Sequence, residues 1–302
     1  QGYETMVFDN LSLGHREAVG DTKLIVGDLR NREDIDRVFS EESFDAVIHF
    51  AAYSLAGESM EKPYEYYDNN LRGGLNLLEA MRKAGCPSII FSSTSAVYGY
   101  PKNIPVTEEE RIAPVSVYGS SKRMVEEMME WYGRIYGIRS VSLRYFNAAG
   151  ALPDGTLGEH HKNESHIIPI ALEVAAGKRE RFEVYGNDYE TPDGTCIRDY
   201  IHVVDLADAH IKSVEYLAKG YTSVALNLGV GRGYSNLEVL DAVERVTGKK
   251  VMRSFGSRRP GDPAKLWADN KKAKEVLGWE PKYSDLETII ETAWKWHRKI
   301  CG

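Results

Sequence analysis

Five short runs rich in Val and Ile, at 5–8, 23–26, 46–50, 88–91 and 141–145, alternate with stretches of helical period. Runs that short and apolar read as buried strands. Between them Ile35, Val38 and Phe39 mark one helix, and Leu75, Leu77, Leu78 and Met81 mark a second that stops at Gly85. Val125, Met128, Met129 and Tyr132 mark a third. Strands that alternate with helices pair in parallel, because each crossover must carry the chain back along the sheet. The expected fold class is therefore α/β, a Rossmann-like doubly wound parallel sheet with a smaller α/β substrate domain. With 302 residues, 42% of them apolar, the chain can bury cores for both.

After Asn147 the alternation breaks into a stretch rich in Gly, Pro, His and Asp, 150–164, and shorter elements follow. Residues 1–148 are expected to form the first domain and 149–302 the second, with a segment near 199–230, entered at 199–210, returning to the first. A last helix starts at the capping residues Ser284 and Asp285 and buries Leu286, Ile289, Ile290, Ala293 and Trp294. A dinucleotide-binding unit opens with a strand, a glycine-rich loop and a helix, and carries an acid about 20 residues later. Asp9 stands as that acid with only eight residues before it. The first strand, the glycine loop and most of the first helix are thus expected to be missing, as in an N-terminally truncated unit. The later string Gly229-x-Gly231-x-Gly233 lacks the third glycine at the required spacing and reads as a tight turn near the substrate.

The net charge of −7 offers no basic face for phosphate chains, so nucleic acid is not an expected partner. Cys86, Cys196 and Cys301 are odd in number and far apart, which excludes a disulfide framework or a four-cysteine zinc site and favours a reducing, cytoplasmic setting. No run approaches the roughly 18 apolar residues of a membrane span, and no secretory-signal pattern opens the chain. His160, His161 and His166 read as a histidine group without carboxylate or cysteine ligand spacing beside it, so no metal is expected and the first two are assigned to a solvated loop.

Tyr118 and Lys122 lie one helical turn apart at the start of a long amphipathic pattern, which stacks a phenol on an ammonium. A nearby positive charge favours phenolate, so Lys122 is expected to bring Tyr118 toward neutrality as a general base. Tyr98 and Lys102 share the spacing, but Pro101 stands between them in a turn. Thr94 ends an apolar strand, at the edge where open α/β sheets bind ligands, and Arg144 to Asn147 end the next. Arg198, Arg258 and Arg259 supply guanidinium groups suited to diphosphate oxygens.

With Phe8-Asp9-Asn10-Leu11, Gly27-Asp28-Leu29-Arg30, His49-Phe50-Ala51-Ala52, Tyr66 to Asn70, Phe91 to Gly99, Tyr118 to Lys122, Leu143 to Asn147, Arg198 to His202 and Trp267-Ala268-Asp269, the chain resembles the extended short-chain dehydrogenases, and within them the UDP-glucose 4-epimerases. That resemblance implies NAD as cofactor and a UDP-sugar as substrate, with UDP-galactose and UDP-glucose interconverted through a 4-keto intermediate. It places Asp9 and Asn10 at the adenosine ribose, Asp28 and Leu29 at the adenine, and Phe50, Ala51 and Ala52 along the cofactor. Asn69, Tyr118, Lys122, Tyr145 and Phe146 surround the nicotinamide. Tyr118 is the implied base, kept anionic by Lys122 and the positive nicotinamide, and Thr94 assists it on the substrate. Asn147, His166, Ile167, Phe182, Glu183, Tyr185, Arg198, Tyr200, Arg259 and Asp262 fall where the family binds uridine diphosphate. Some members carry asparagine in place of His166 and lysine in place of Ser54.

Related 4,6-dehydratases place an Asp-Glu pair after the threonine, where this chain has Ser95 and Ala96. Leu266 occupies the position that gates N-acetyl groups and leans the reading toward UDP-glucose and UDP-galactose. A 4-epimerase of another UDP-sugar, or a non-catalytic UDP-sugar-binding fragment, are the alternatives. The family dimerises through two helices, here near 67–84 and 116–136, so a homodimer is expected.

Overall fold

The computed structural model of the protein describes residues 2–259 and 261–301; Pro260, inside the motif 258–262, and the side chain of Cys301 lie outside this set. In chain order the elements are β1 (Met6–Asp9), β2 (Lys23–Val26), α1 (Arg32–Glu41), β3 (Val47–His49), α2 (Ala56–Glu61), α3 (Pro63–Tyr67), α4 (Gly73–Ala84), β4 (Ser88–Thr94), α5 (Val117–Tyr136), β5 (Arg139–Tyr145) and β6 (Asn147–Ala149). They continue with α6 (Ile167–Ala175), β7 (Phe182–Tyr185), β8 (Ile197–Arg198), β9 (Tyr200–His202), α7 (Val203–Ala218), β10 (Val224–Leu228), β11 (Tyr234–Ser235), α8 (Asn236–Thr247), β12 (Arg253–Gly256), β13 (Lys265–Leu266), α9 (Lys271–Leu277) and α10 (Leu286–Cys301). Each of the five apolar runs is a strand. No helix among the described residues is long and apolar enough to cross a membrane.

Two compact units share the chain. The first comprises residues 1–99, 112–143 and 213–225, the second 100–111, 144–212 and 226–302. The chain thus leaves the first unit at 143, five residues before the expected division. Residues 199–212 stay with the second unit, and only 213–225 return. The expected entry at 199–210 fails because Asp199 is enclosed by its own unit: its carboxylate accepts from the Val230 and Ala268 backbone N–H groups at 2.9 and 3.1 Å. The turn 229–233 is therefore a wrapping for Asp199.

In the first unit β1 pairs with β2 in parallel, and β3 pairs with β4 in parallel within the four-stranded order β10-β5-β4-β3. Ile35 of α1, Leu77, Leu78 and Met81 of α4, Val125 and Met129 of α5, and Ile89 and Phe91 of β4 form one buried cluster. Burying these eight side chains contributes on the order of 10 kcal/mol of transfer free energy, offset by chain ordering. Gly85 ends α4 in the left-handed region, at φ 72°, where its lack of Cβ removes the steric cost.

Between α3 and α4 the helix does not break. Residues Asp68–Arg72 wind as a π-helical turn, a wider loop of backbone that often marks functional sites.

The second unit packs α6, α8 and α10 around a core of Ile168, Leu172, Val239, Val243, Ile289 and Ile290. Short parallel pairs, β6 with β9 and β7 with β12, carry its site residues. The α10 start agrees with the expected caps: Asp285 accepts from the Thr288 N–H at 2.9 Å, while Ser284 is buried and donates to Asp205 at 2.5 Å.

Candidate active site

In the first unit, β4 delivers Thr94 at its carboxyl end, and Ser116 caps α5 by accepting from the Gly119 N–H at 3.1 Å, so that Tyr118 and Lys122 fall on its first turns. The Thr94 hydroxyl acts on the Tyr118 phenol and favours its anion, and the Lys122 amine lies 5.9 Å from the centre of the Tyr118 ring. All three residues expected to be catalytic are brought together. Lys122 is 2% exposed, donates to the Ser92 carbonyl at 2.8 Å and sits 4.8 Å from the Phe91 ring.

The electrostatics differ from the expectation. Burial pushes the Tyr118 phenol above its ordinary value, and only the Thr94 hydroxyl opposes it. Burial also pushes Lys122 down to about 7, with the carboxylate of Glu126 pulling weakly the other way. Desolvation of two charged forms thus outweighs their mutual attraction, and Lys122 alone does not hold Tyr118 anionic. The neighbouring imidazole of His49 is held neutral, pushed down to about 3 by burial and then by Lys122.

Several positioning residues have no role assigned from the sequence. Ser59 Oγ accepts from the Tyr118 backbone N–H at 3.1 Å. Asn70, on the π-helical turn and 3% exposed, accepts from the Tyr53 N–H at 2.8 Å and donates to Ser121 Oγ at 2.9 Å; Ser121 in turn donates to the Tyr118 carbonyl at 2.8 Å. Ser93 donates to the buried Glu126 at 2.6 Å. Asn70, Ser93 and Ser121 lie within the runs 66–70, 91–99 and 118–122 that carry the resemblance, but nothing in those runs marks them as supports for Tyr118 and Lys122.

Seven of the residues expected at a cofactor, Asp9, Asn10, Asp28, Leu29, Ala51, Ala52 and Asn69, line one cavity of the first unit. Asp9 ends β1 and accepts from the Leu11 N–H at 2.6 Å. Gly14 leaves the space before this carboxylate open, since a Cβ there would come within 3.2 Å of Asp9 Oδ2. Asn10 donates to Asp28 at 3.2 Å, and the Arg30 guanidinium holds the Asp28 carboxyl well below the usual carboxylate range. Phe50 does not line this cavity; it follows β3 and is 59% exposed. Tyr145 and Phe146 belong to the second unit.

The second unit contains a separate cavity of about 550 Å³, of the size small ligands occupy. It is lined by all ten residues expected at uridine diphosphate, from Asn147 to Asp262. Arg198 stands 3.4 Å from Asp262, and Arg259 donates to the same carboxylate at 3.0 Å while its guanidinium lies 5.0 Å from the Tyr185 ring centre. Arg258 is turned elsewhere, bonded to Asp188 at 2.7 Å and stacked 4.2 Å over Tyr189. One carboxylate therefore gathers two guanidiniums into the cavity wall, a pattern suited to an anion with several oxygens. His166 also lines the wall, ion-paired to Glu159. The expectation that no carboxylate accompanies the histidines fails: Glu159 and Glu164 meet His161 and His166 across the loop.

The family model for GDP-mannose 4,6 dehydratase matches residues 3–292. A UDP-glucose 4-epimerase of Lacticaseibacillus casei is 50% identical over 297 residues, which cover 98% of this chain and 90% of that protein. The crystal structure of UDP-glucose 4-epimerase from Brucella ovis in complex with NAD superposes with a TM-score of 0.94 at 48% identity, covering 96% of this chain and 90% of that one. That of the Bifidobacterium longum UDP-glucose 4-epimerase with NAD+ and UDP does so with a TM-score of 0.93 at 39% identity, covering 99% and 92%.

Proposed function

The chain belongs to the family of UDP-glucose 4-epimerases, and on that footing we propose which of its residues carry the interconversion of UDP-galactose and UDP-glucose. The reaction inverts one carbinol centre through a 4-keto sugar with no net redox change. It needs a reversible hydride acceptor, a base that takes and returns the hydroxyl proton, and an anchor that holds the nucleotide while the sugar turns. NAD, when bound, supplies the hydride acceptor.

The first-unit cavity has donors and acceptors that suit this cofactor. Asp9, with open space before it, accepts from a ribose diol and disfavours a 2′-phosphate by like charge. Asn10, Asp28, Leu29, Ala51, Ala52 and Asn69 complete the wall, and Phe50, Tyr145 and Phe146 are assigned to the same cofactor from the family resemblance.

Tyr118 takes the 4-hydroxyl proton, and the observation that carries this role is its place on the first turn of α5 with the buried Lys122 amine 5.9 Å from its ring centre. The Thr94 hydroxyl stabilises the phenolate by donation, and each positive charge brought into the site lowers the cost of that anion. The ten residues of the second-unit cavity hold uridine diphosphate, Arg198 and Arg259 meeting the phosphates, which leaves the 4-keto sugar free to present its opposite face. Elimination of water, the chemistry for which the family model is named, requires an acid and a base next to the threonine; Ser95 and Ala96 supply neither.

A homodimer is the assembly supported by α5, where Met124, Trp131 and Ile135 recur on one helix face and are 40%, 58% and 62% exposed. The free, buried thiols of Cys86 and Cys196 suit a cytoplasmic setting.

Conversion of UDP-galactose to UDP-glucose, run in deuterium oxide with added NAD, tests the mechanism. Product carrying protium at C4 is expected, because the hydride does not exchange with solvent. Deuterium at C4 would overturn it.

A further inference from the structure

The loop between β6 and α6 carries four donors at the spacing Glu159, His161, Glu164, His166. One ligand-type atom from each lies within 4.8 Å of the others. We propose that this quartet is a binding site for a first-row divalent cation, zinc by preference, held by two imidazoles and two carboxylates.

The arrangement is a closed ring in which each histidine stands between the same two carboxylates. His161 Nδ1 is 3.2 Å from Glu159 Oε1 and 3.3 Å from Glu164 Oε2. His166 Nδ1 is 3.5 Å from Glu164 Oε1 and closer still to Glu159 Oε1. Zinc bonds of about 2.0–2.2 Å to nitrogen and oxygen put neighbouring ligands of a tetrahedron roughly 3.4 Å apart. With Glu159 Oε1 and Glu164 Oε2 as the carboxylate donors, both edges at His161 have that length, 3.2 and 3.3 Å, and the rest of the quartet lies within 4.8 Å. The His166–Glu159 edge would widen as the ion enters. Imidazole with carboxylate is a donor set for zinc and its neighbours rather than for calcium or magnesium, which take oxygen alone.

The ring is anchored from outside. The Glu159 carbonyl accepts from Trp296 Nε1 of α10 at 2.8 Å, and Gly158 lies so close beneath that indole that a Cβ would come within 2.5 Å of it. Glu164 Oε1 accepts from the backbone N–H groups of Ser165 and His166 at 2.7 and 2.9 Å, which fixes the carboxylate and turns Oε2 to His161. Glu159, Ser165 and His166 also line the second-unit cavity. A bound cation would therefore clamp this stretch of cavity wall; the metal site itself does not depend on what the cavity binds.

Calorimetric titration of the chelator-treated chain with zinc chloride tests the proposal. One equivalent of zinc is expected to bind the wild type, and cobalt(II) in its place should give the intense visible absorption of a tetrahedral ion. The double variant His161→Ala with Glu164→Gln should lose both signals, and His161→Gln should weaken them. Unfolding of these variants without metal, compared with wild type, shows that the fold persists. Zinc should also slow amide exchange across 158–166 in the wild type alone. Equal zinc affinity in wild type and double variant, or no uptake by the wild type, would overturn the site.

Discussion

Lys122 donates its hydrogen bond to the Ser92 carbonyl, 2.8 Å away, and only the edge of its field reaches the Tyr118 ring centre at 5.9 Å. The amine is thus held by β4, buried, and pushed down to about 7. In an unfolded chain the same group titrates near its ordinary value of 10.5. Folding releases its proton between those two values. The stability this group contributes is full above the unfolded value and is lost as pH falls through about 7. Lys122→Met should therefore raise the unfolding free energy of nucleotide-free protein, read from urea titration at pH 6, by on the order of 2 kcal/mol, and the gain should shrink toward pH 10. A gain that grows with pH would reverse the assignment.

Tyr118→Phe removes the proton acceptor and little else, because the contact from Ser59 is to the Tyr118 backbone. Epimerisation should fall by at least ~10³-fold while calorimetric binding of UDP is kept. Full activity in this variant would remove Tyr118 from the mechanism.

Loss of the Thr94 hydroxyl should act through the phenol. The Thr94 hydroxyl lowers the Tyr118 value against burial, so Thr94→Val should move the rising limb of the kcat/KM profile to higher pH and reduce kcat by about 10- to 100-fold. Thr94→Ser should restore the limb. A uniform loss at every pH would mean that Thr94 only packs.

Asn70 tests the support beneath the base. Asn70→Asp keeps the acceptor for the Tyr53 N–H but turns an oxygen toward the Tyr53 carbonyl, now bonded to the amide at 3.1 Å, and toward Ser121. A destabilisation of about 2–4 kcal/mol is expected in urea unfolding. Unchanged stability would show that the network rearranges freely.

Arg198→Met should weaken UDP binding by about 10- to 100-fold, as expected for losing charge-assisted hydrogen bonds, and should raise KM far more than it lowers kcat. Arg258→Met, which removes a guanidinium bonded to Asp188, should leave UDP binding unchanged. Equal effects from both would point to general electrostatics rather than contact.

The strands were legible because parallel strands are nearly continuous Val and Ile; β4 and β5 are buried along their length, and β2, though partly exposed, matches its run residue for residue. Tyr118, Lys122 and Thr94 were legible in company, from a helix start and a strand end that the topology brings together. What stayed hidden depends on three-dimensional surroundings. The direction of the Lys122 shift is set by burial, which spacing does not record. Glu159 and Glu164 interleave with the histidines at steps of two and three, on neither a helix face nor a strand face, so only the folded loop brings them together. The return to the first unit was misplaced because α7 is continuous across 212 and 213, with no break in its pattern to mark the crossing.

The π-helical turn at Asp68–Arg72 makes the spacing between Tyr66 and the residues of α4 unusually intolerant of deletion. One residue removed there would let the backbone relax into an ordinary α-helix, locally a more favourable winding. It would also rotate everything on one side of the cut by about 100° relative to the other. Asn70 would then swing away from Ser121, or Tyr66 from the Leu55 carbonyl it now bonds at 2.8 Å. Point substitutions in this stretch can be absorbed one contact at a time, but a change of length cannot, so lineages descended from this chain should vary here in letters and not in count.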